Sequence, residues 1–194
     1  MPTTAGTTAA PTTAATGTTS KGGSTATTTA PTPTTTTTAP GTDPGTLPQT
    51  EDKPTATGEP WDTDTRALWD AIVSDDPSKA MSFFFPLSAY TQVKGISDPK
   101  HDYDTRLIPY YEQDIHALHK QLGANASKAQ FVKVEVPNTA QWIKPGVEYN
   151  KGAYWRVQEN KLLYTVDGVQ KSFVVKSMIS WRGQWYVVHL TSIR

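Results

Sequence analysis

The chain has no cysteine. That excludes disulfides, a thiol nucleophile, cysteine-ligated zinc and a lipidated cysteine within this sequence, so packing alone must hold the fold. No run approaches the roughly 18 apolar residues of a membrane-spanning helix. Formal net charge is zero and the basic residues are scattered singly. Nucleic-acid partners select a basic patch with interleaved aromatics, and no such patch is present. The first fifty residues lack aromatic side chains and carry only two charges, Lys21 and Asp43. In their place stand 22 Thr, 8 Ala and 7 Pro. Such a segment has too little apolar surface to offset the conformational entropy of folding, and it is expected to be disordered.

What the tail lacks is concentrated after it. All six Trp, eight Tyr and five Phe lie between Trp61 and Arg194. Six charged side chains precede Trp61 (Lys21, Lys53, Asp43, Glu51, Asp52, Glu59). With these set aside, 16 basic and 14 acidic residues remain, a net of +2. The expected organisation is a Thr/Pro/Ala-rich stalk or linker over residues 1–60, then one domain over residues 61–194, large enough for a single core.

Order is expected to begin near Trp61. Asp62-Thr-Asp-Thr65 offers N-cap oxygens for a helix whose stripe is Leu68, Trp69, Ile72 and Val73. Ser74-Asp-Asp76 is positioned to cap a second helix with Pro77 at its first position. That helix would carry Ala80, Met81, Phe83, Phe84 and Phe85 and stop at Pro86. Three consecutive Phe cannot share one helix face, so at least one must meet a second surface. Leu87 to Ile96 reads as a short strand or an irregular connection. A third helix is expected from about Asp104 to Leu122, with Gly123 as its stop. Val132, Val134 and Val136 alternate with Lys133 and Glu135, a strand with one wet face.

The last forty residues read as antiparallel strands. Asp167-Gly168 between β-rich runs is a strong hairpin signal, because both central residues of a type I′ turn need positive φ. Arg182-Gly183 marks a weaker second reversal. The expected fold class is therefore α+β, N-terminal helices packed on a curved antiparallel sheet. On the last two strands both faces stay partly apolar: Phe173, Val175, Ile179 and Trp181 on one, Val174 and Met178 on the other. Large apolar patches on soluble proteins mark contacts. A homodimer through the outer sheet face is expected.

The element order, closing in Arg182-Gly-Gln-Trp-Tyr-Val-Val-His-Leu190, resembles the NTF2-like (cystatin-like α+β cone) superfamily. The resemblance covers roughly Thr65 to Ile193 and rests most on the terminal Gly-x-Trp-x-Val strand. With its Thr/Pro-rich leader the chain is similar to secreted, lipid-anchored or membrane-anchored actinobacterial members without assigned activity. The resemblance implies a curved sheet around a helix, a conical pocket, and dimers through the sheet. It implies no single function, since members include ketosteroid isomerase-like and polyketide cyclase-like enzymes as well as binding modules.

Candidate pocket residues are His189, Trp185, Tyr111, His116 and Trp142. His189 is the best-placed polar side chain, beside Trp185 and Val187 on the last strand. His116 and His119, three apart on a helix, have a spacing that can meet one metal, with His101, Asp98 or Asp102 as a third ligand. No Glu or second His-x-x-His reinforces them, and neither a metal nor a cofactor is expected. An isomerase-like site needs a carboxylate base in an apolar cone and a Tyr or protonated acid for the oxyanion. Tyr90, Tyr103, Tyr110, Tyr111, Asp102, Asp104 and Asp114 are available by type. None lies on the late strands, where Glu135, Glu159 and Asp167 occupy wet or turn positions. Trp142, Tyr154, Trp155, Trp181, Trp185 and Tyr186 offer a platform for a glycan or flat ligand, or else core and interface.

The expected function is a non-catalytic binding or assembly module at the cell envelope, meeting an envelope protein or a small hydrophobic ligand. The alternative is a small-molecule enzyme of the polyketide cyclase or ketosteroid isomerase-like type. The start of the chain lacks the basic and apolar regions of a signal peptide, which by itself reads as cytoplasmic. The stalk composition points instead to a secreted or cell-surface protein whose signal or anchor lies upstream of Met1, or to the extracytoplasmic part of a larger membrane complex.

Overall fold

The computed structural model describes residues 43–193, and residues 1–42 of the expected disordered stalk lie outside them. The architecture is α+β, helices first and a five-stranded antiparallel sheet second. Helix α1 spans Trp61–Ser74, α2 Leu87–Val93, α3 Pro99–Asp102 and α4 Ile108–Leu122. The strands are β1 Gln130–Glu135, β2 Gln141–Ile143, β3 Tyr154–Val166, β4 Val169–Trp181 and β5 Gln184–His189. β1 and β2 both pair with β3, and β4 and β5 follow as a meander.

Both hairpins form where turn chemistry places them. Asp167 and Gly168 have φ of 49° and 78°, and Arg182 and Gly183 have 50° and 75°. Both pairs thus meet the two-residue positive-φ requirement of the type I′ connection. β3 is one strand with an interruption at Glu159, whose φ is 59°. There its partner on one side changes from β2 to β1. The valine alternation in β1 does not survive intact: the register shifts between Phe131 and Lys133, leaving Val132 exposed while Val134 is buried.

The helical half departs further from expectation. α1 starts one turn early, with Asp62 and Asp64 inside its first turn and no side-chain cap on Pro60. Asp76 does cap the next element, accepting from Ser78 N, and Pro77 does open it, but it is a 3₁₀ turn over Pro77–Ala80. Phe83 to Phe85 are not helical. Val187 N donates to the Phe83 carbonyl and Phe85 N to the Val187 carbonyl, both at 2.9 Å, so the triplet leaves the preceding turn through an isolated parallel bridge between Phe84 and Val187 of β5. Leaving the turn separates the rings. Phe83 meets Trp61 edge-on at 5.7 Å, Phe84 packs on Tyr111 at 4.3 Å, and Phe85 meets Tyr186 and Trp181 at 5.9 and 6.1 Å. All three are fully buried. Leu87–Val93 is a helix rather than a strand; Ala89, Tyr90 and Val93 keep helical spacing and are its buried side. The third expected helix starts earlier, at Pro99, and crosses a π turn over Tyr103–Leu107 just ahead of Pro109.

The largest difference lies before α1. Residues 43–56, grouped by composition with the linker, lie against the domain. Trp181 Nε1 donates to the Pro44 carbonyl at 2.8 Å, and Arg182 Nη1 to the Pro48 carbonyl at 2.6 Å. Gln49 bridges to Ser180 O at 2.9 Å and accepts from Arg182 N at 2.7 Å. Composition misses this because, Gln49 aside, the contacts use backbone carbonyls, which every residue has.

Phe84 has no room to be replaced by a smaller side chain without a cavity. Phe84→Ala is expected to cost about 3–5 kcal/mol in urea denaturation, and a loss below about 1 kcal/mol would place the ring outside the core.

Candidate functional site

The five pocket candidates do not converge. Tyr111 is buried on α4, stacked on Phe84, with its hydroxyl donating to the Ala80 carbonyl at 3.2 Å. His116 is exposed on the same helix, its Nδ1 2.6 Å from Asp75 Oδ1 at the end of α1. His119, one turn on, places Nδ1 2.9 Å from the Ile72 carbonyl. The two imidazoles thus tie α4 to the C-terminus of α1, where helix carbonyls lack intrahelical partners. Among the described residues no group of three or more His, Asp or Glu converges as metal ligands. Trp142 and Trp155 face each other across β2 and β3 with ring centroids 5.6 Å apart. Trp185 is buried opposite Ser180, and His189, opposite Ser177, is half-buried at the end of β5.

Two polar clusters and a covered aromatic surface take their place. The first cluster joins α2 to the π turn. Arg106 grips Asp102 with Nε on Oδ1 and Nη2 on Oδ2, each at 2.7 Å, and Nη2 also reaches the Tyr90 hydroxyl at 3.2 Å. The Tyr90 hydroxyl in turn donates to Asp102. The guanidinium, together with this hydroxyl, holds the Asp102 carboxyl down at about 2, while burial and the adjacent carboxylate push the Tyr90 phenol up. Lys94 stands by the same group and is pushed down by burial and by the Arg106 charge. Asp102 and Tyr90 were both eligible by type for acid–base work. Brought together, they form a locked ion pair: a carboxylate this acidic is a weak base, and its geometry is filled by Arg106.

The second cluster is on the sheet. Glu148 accepts from the Tyr154 hydroxyl at 2.9 Å and pairs with Arg156, which also reaches Gln141 at 3.3 Å. Beside it, where β1 and β2 part along β3, lies an open cleft of about 330 Å³ lined by Pro137, Thr139, Gln141, Arg156, Gln158 and Glu159. None of the five candidates lines it.

The buried carboxylates are also committed. Asp114 accepts from Thr191 N at 3.0 Å and from Thr191 Oγ1 at 2.7 Å, tying α4 to the chain end. Asp64 accepts from Ser82 Oγ at 3.0 Å, and burial raises its pKa.

Part of the aromatic platform exists, but the chain covers it. The Trp155 indole donates to the Glu51 carbonyl at 3.0 Å, and Lys53 Nζ stands 5.4 Å above its ring. With Trp181 on Pro44 and Arg182 on Pro48, three side-chain N–H donors from β3 and the β4–β5 hairpin grip one strap, which makes a 3₁₀ turn over Pro44–Thr46. Tyr186 and the Trp181 ring face Phe85 and belong to the core, and only the Trp181 N–H reaches the strap. The prolines at 44, 48 and 54 were the signal available in the sequence, read there only as linker composition.

The Asp102 pair sets a pH dependence of known sign. Its pKa is depressed in the folded state, so the stability it adds is present above about 4, the ordinary carboxylate value, and is lost as pH falls from there towards 2. Asp102→Asn is expected to lower the melting temperature at pH 7 and to flatten its fall between pH 4 and pH 2. An unchanged acid slope would remove Asp102 from this role.

Compared with family models, curated proteins and solved structures, the chain matches none.

Proposed function

We propose that the chain is a non-catalytic binding or assembly module with an NTF2-like arrangement of helices on a sheet, acting at the cell envelope on a Thr/Pro-rich stalk. One observation carries this reading. The space between helices and sheet is filled by the side chains of Phe83, Phe84, Phe85, Tyr103, Tyr111 and Trp181, all buried. An isomerase-like or cyclase-like enzyme needs that volume for substrate and a free carboxylate within it. Here Asp102, Asp114 and Asp64 each have hydrogen-bond partners, and the hydroxyls of Tyr103 and Tyr111 are bound to the carbonyls of Phe85 and Ala80. The envelope assignment is supported by composition: 22 Thr, 8 Ala and 7 Pro in the first fifty residues.

A rigid four-ring steroid tests the interior directly. The full chain is expected to show no saturable change in tryptophan fluorescence and no rise in melting temperature with it. Stoichiometric binding would favour the enzyme reading. The same proposal includes a homodimer through the sheet surface that carries exposed Val132 on β1 and Val174 on β4. Sedimentation at micromolar concentration is expected to show a dimer, and a clean monomer counts against it.

A further inference from the structure

We propose that Trp155, Trp181 and Arg182 form a binding groove for a proline-containing peptide, a 3₁₀ turn followed by an extended run, which the chain's own residues 43–54 occupy in cis with the turn at Pro44–Thr46. The proposal rests on the binding-module reading and names the partner class.

The contacts have the form of peptide recognition. Four side-chain N–H groups donate to main-chain carbonyls spaced along one segment: Trp181 to Pro44, Gln92 of α2 to Gly45, Arg182 to Pro48 and Trp155 to Glu51. Gln49 adds its own amide, donating to Ser180 O and accepting from Arg182 N. From residue 47 to 55 the segment pairs with no strand. Leu47 has φ −83° and ψ 153°, the polyproline II region. Aromatic grooves with N–H donors aimed at carbonyls are how proline-rich segments are read, because their backbone is already extended and its carbonyls are free. Prolines at 44, 48 and 54, the last of them buried, match that chemistry.

The fit of the strap is also incomplete, as a replaceable occupant's would be. Thr50 Oγ1 and Ser88 Oγ are two of the three buried side-chain atoms among the described residues that have no hydrogen-bond partner. Thr50 is in the strap, and Ser88 faces it: a Cβ on Gly45 would collide with Ser88 Oγ and stand 2.7 Å from the Ala89 nitrogen. Each buried polar atom without a partner opposes closure. The third such atom, Asn160 Oδ1, is fully buried on β3, while the Tyr103 and Tyr111 hydroxyls of the core are both bonded. A strap joined to α1 by a short linker competes with a free peptide at an effective concentration on the order of millimolar. Partner binding is therefore weak until the strap loosens.

The test uses the full chain and a synthetic peptide of residues Asp43 to Pro54. Binding is followed by the indole N–H resonances of Trp155 and Trp181. Gln49→Ala, which loosens the strap, is expected to bind the peptide saturably and at least about tenfold more tightly than the native chain. A reversed-sequence peptide is expected not to shift these resonances. Gly45→Ala, which obstructs the seat of the strap, provides a second loosened chain. Adding Trp155→Phe, which keeps a ring and removes the N–H, should weaken binding about fivefold. Peptide binding that is absent from both folded loosened chains, or that is equal for the reversed peptide, overturns the groove. The module reading survives that result, since it falls only to a ligand bound in the interior.

Discussion

Two backbone hydrogen bonds, between Phe83 to Phe85 and Val187, join the helical half of this protein to its sheet. They turn a triplet of phenylalanines into an edge partner of β5, and each ring is thereby sent to a different neighbour: Trp61 on α1, Tyr111 on α4, Trp181 on β4. Tyr103 completes the joint by donating to the Phe85 carbonyl at 2.9 Å. Aromatic side chains bury large areas and favour edge or offset contacts, so this joint concentrates much of the apolar stabilisation in few residues. It also decides the chemistry. A core assembled on these rings leaves the interior to packing, and under the proposed binding role recognition belongs to the strap, the Arg156 cleft and the sheet surface.

The strap and the core are held by different means. Core residues such as Leu68, Ile115 and Met178 are fully excluded from solvent. The strap depends on a few directional bonds to its carbonyls and leaves Thr50 and Ser88 hydroxyls buried without partners. Interactions of this kind give low local opening free energies even within a stable domain. The proposed groove requires that its closure and the folding of the sheet be separable events.

The strands were legible because their signals are local. Positive φ at Asp167, Gly168, Arg182 and Gly183 follows from turn chemistry that two residues specify. α4 was legible from periodicity. Phe83 to Phe85 was not, since three apolar residues before a proline fit a helix end as well as an extended edge, and only a partner 100 residues away chooses between them. Leu87 to Val93 was hidden by its length, seven residues with three buried. For the candidate site, Tyr90 and Asp102 were eligible by type, but their meeting with Arg106 needs α2 beside the π turn. The strap was hidden from composition: apart from Gln49 its bonds use carbonyls, its prolines read equally as linker, and the Trp and Arg donors that identify it lie more than a hundred residues later.

Hydrogen exchange of the full chain compares strap and sheet directly. The two-layer account predicts that amides of residues 43–53 and the indole N–H groups of Trp155 and Trp181 exchange through a local opening, much faster than the amides of Leu162, Val175 and Met178. Exchange of the strap at the same rate as these core strands, moving with global stability, would contradict it.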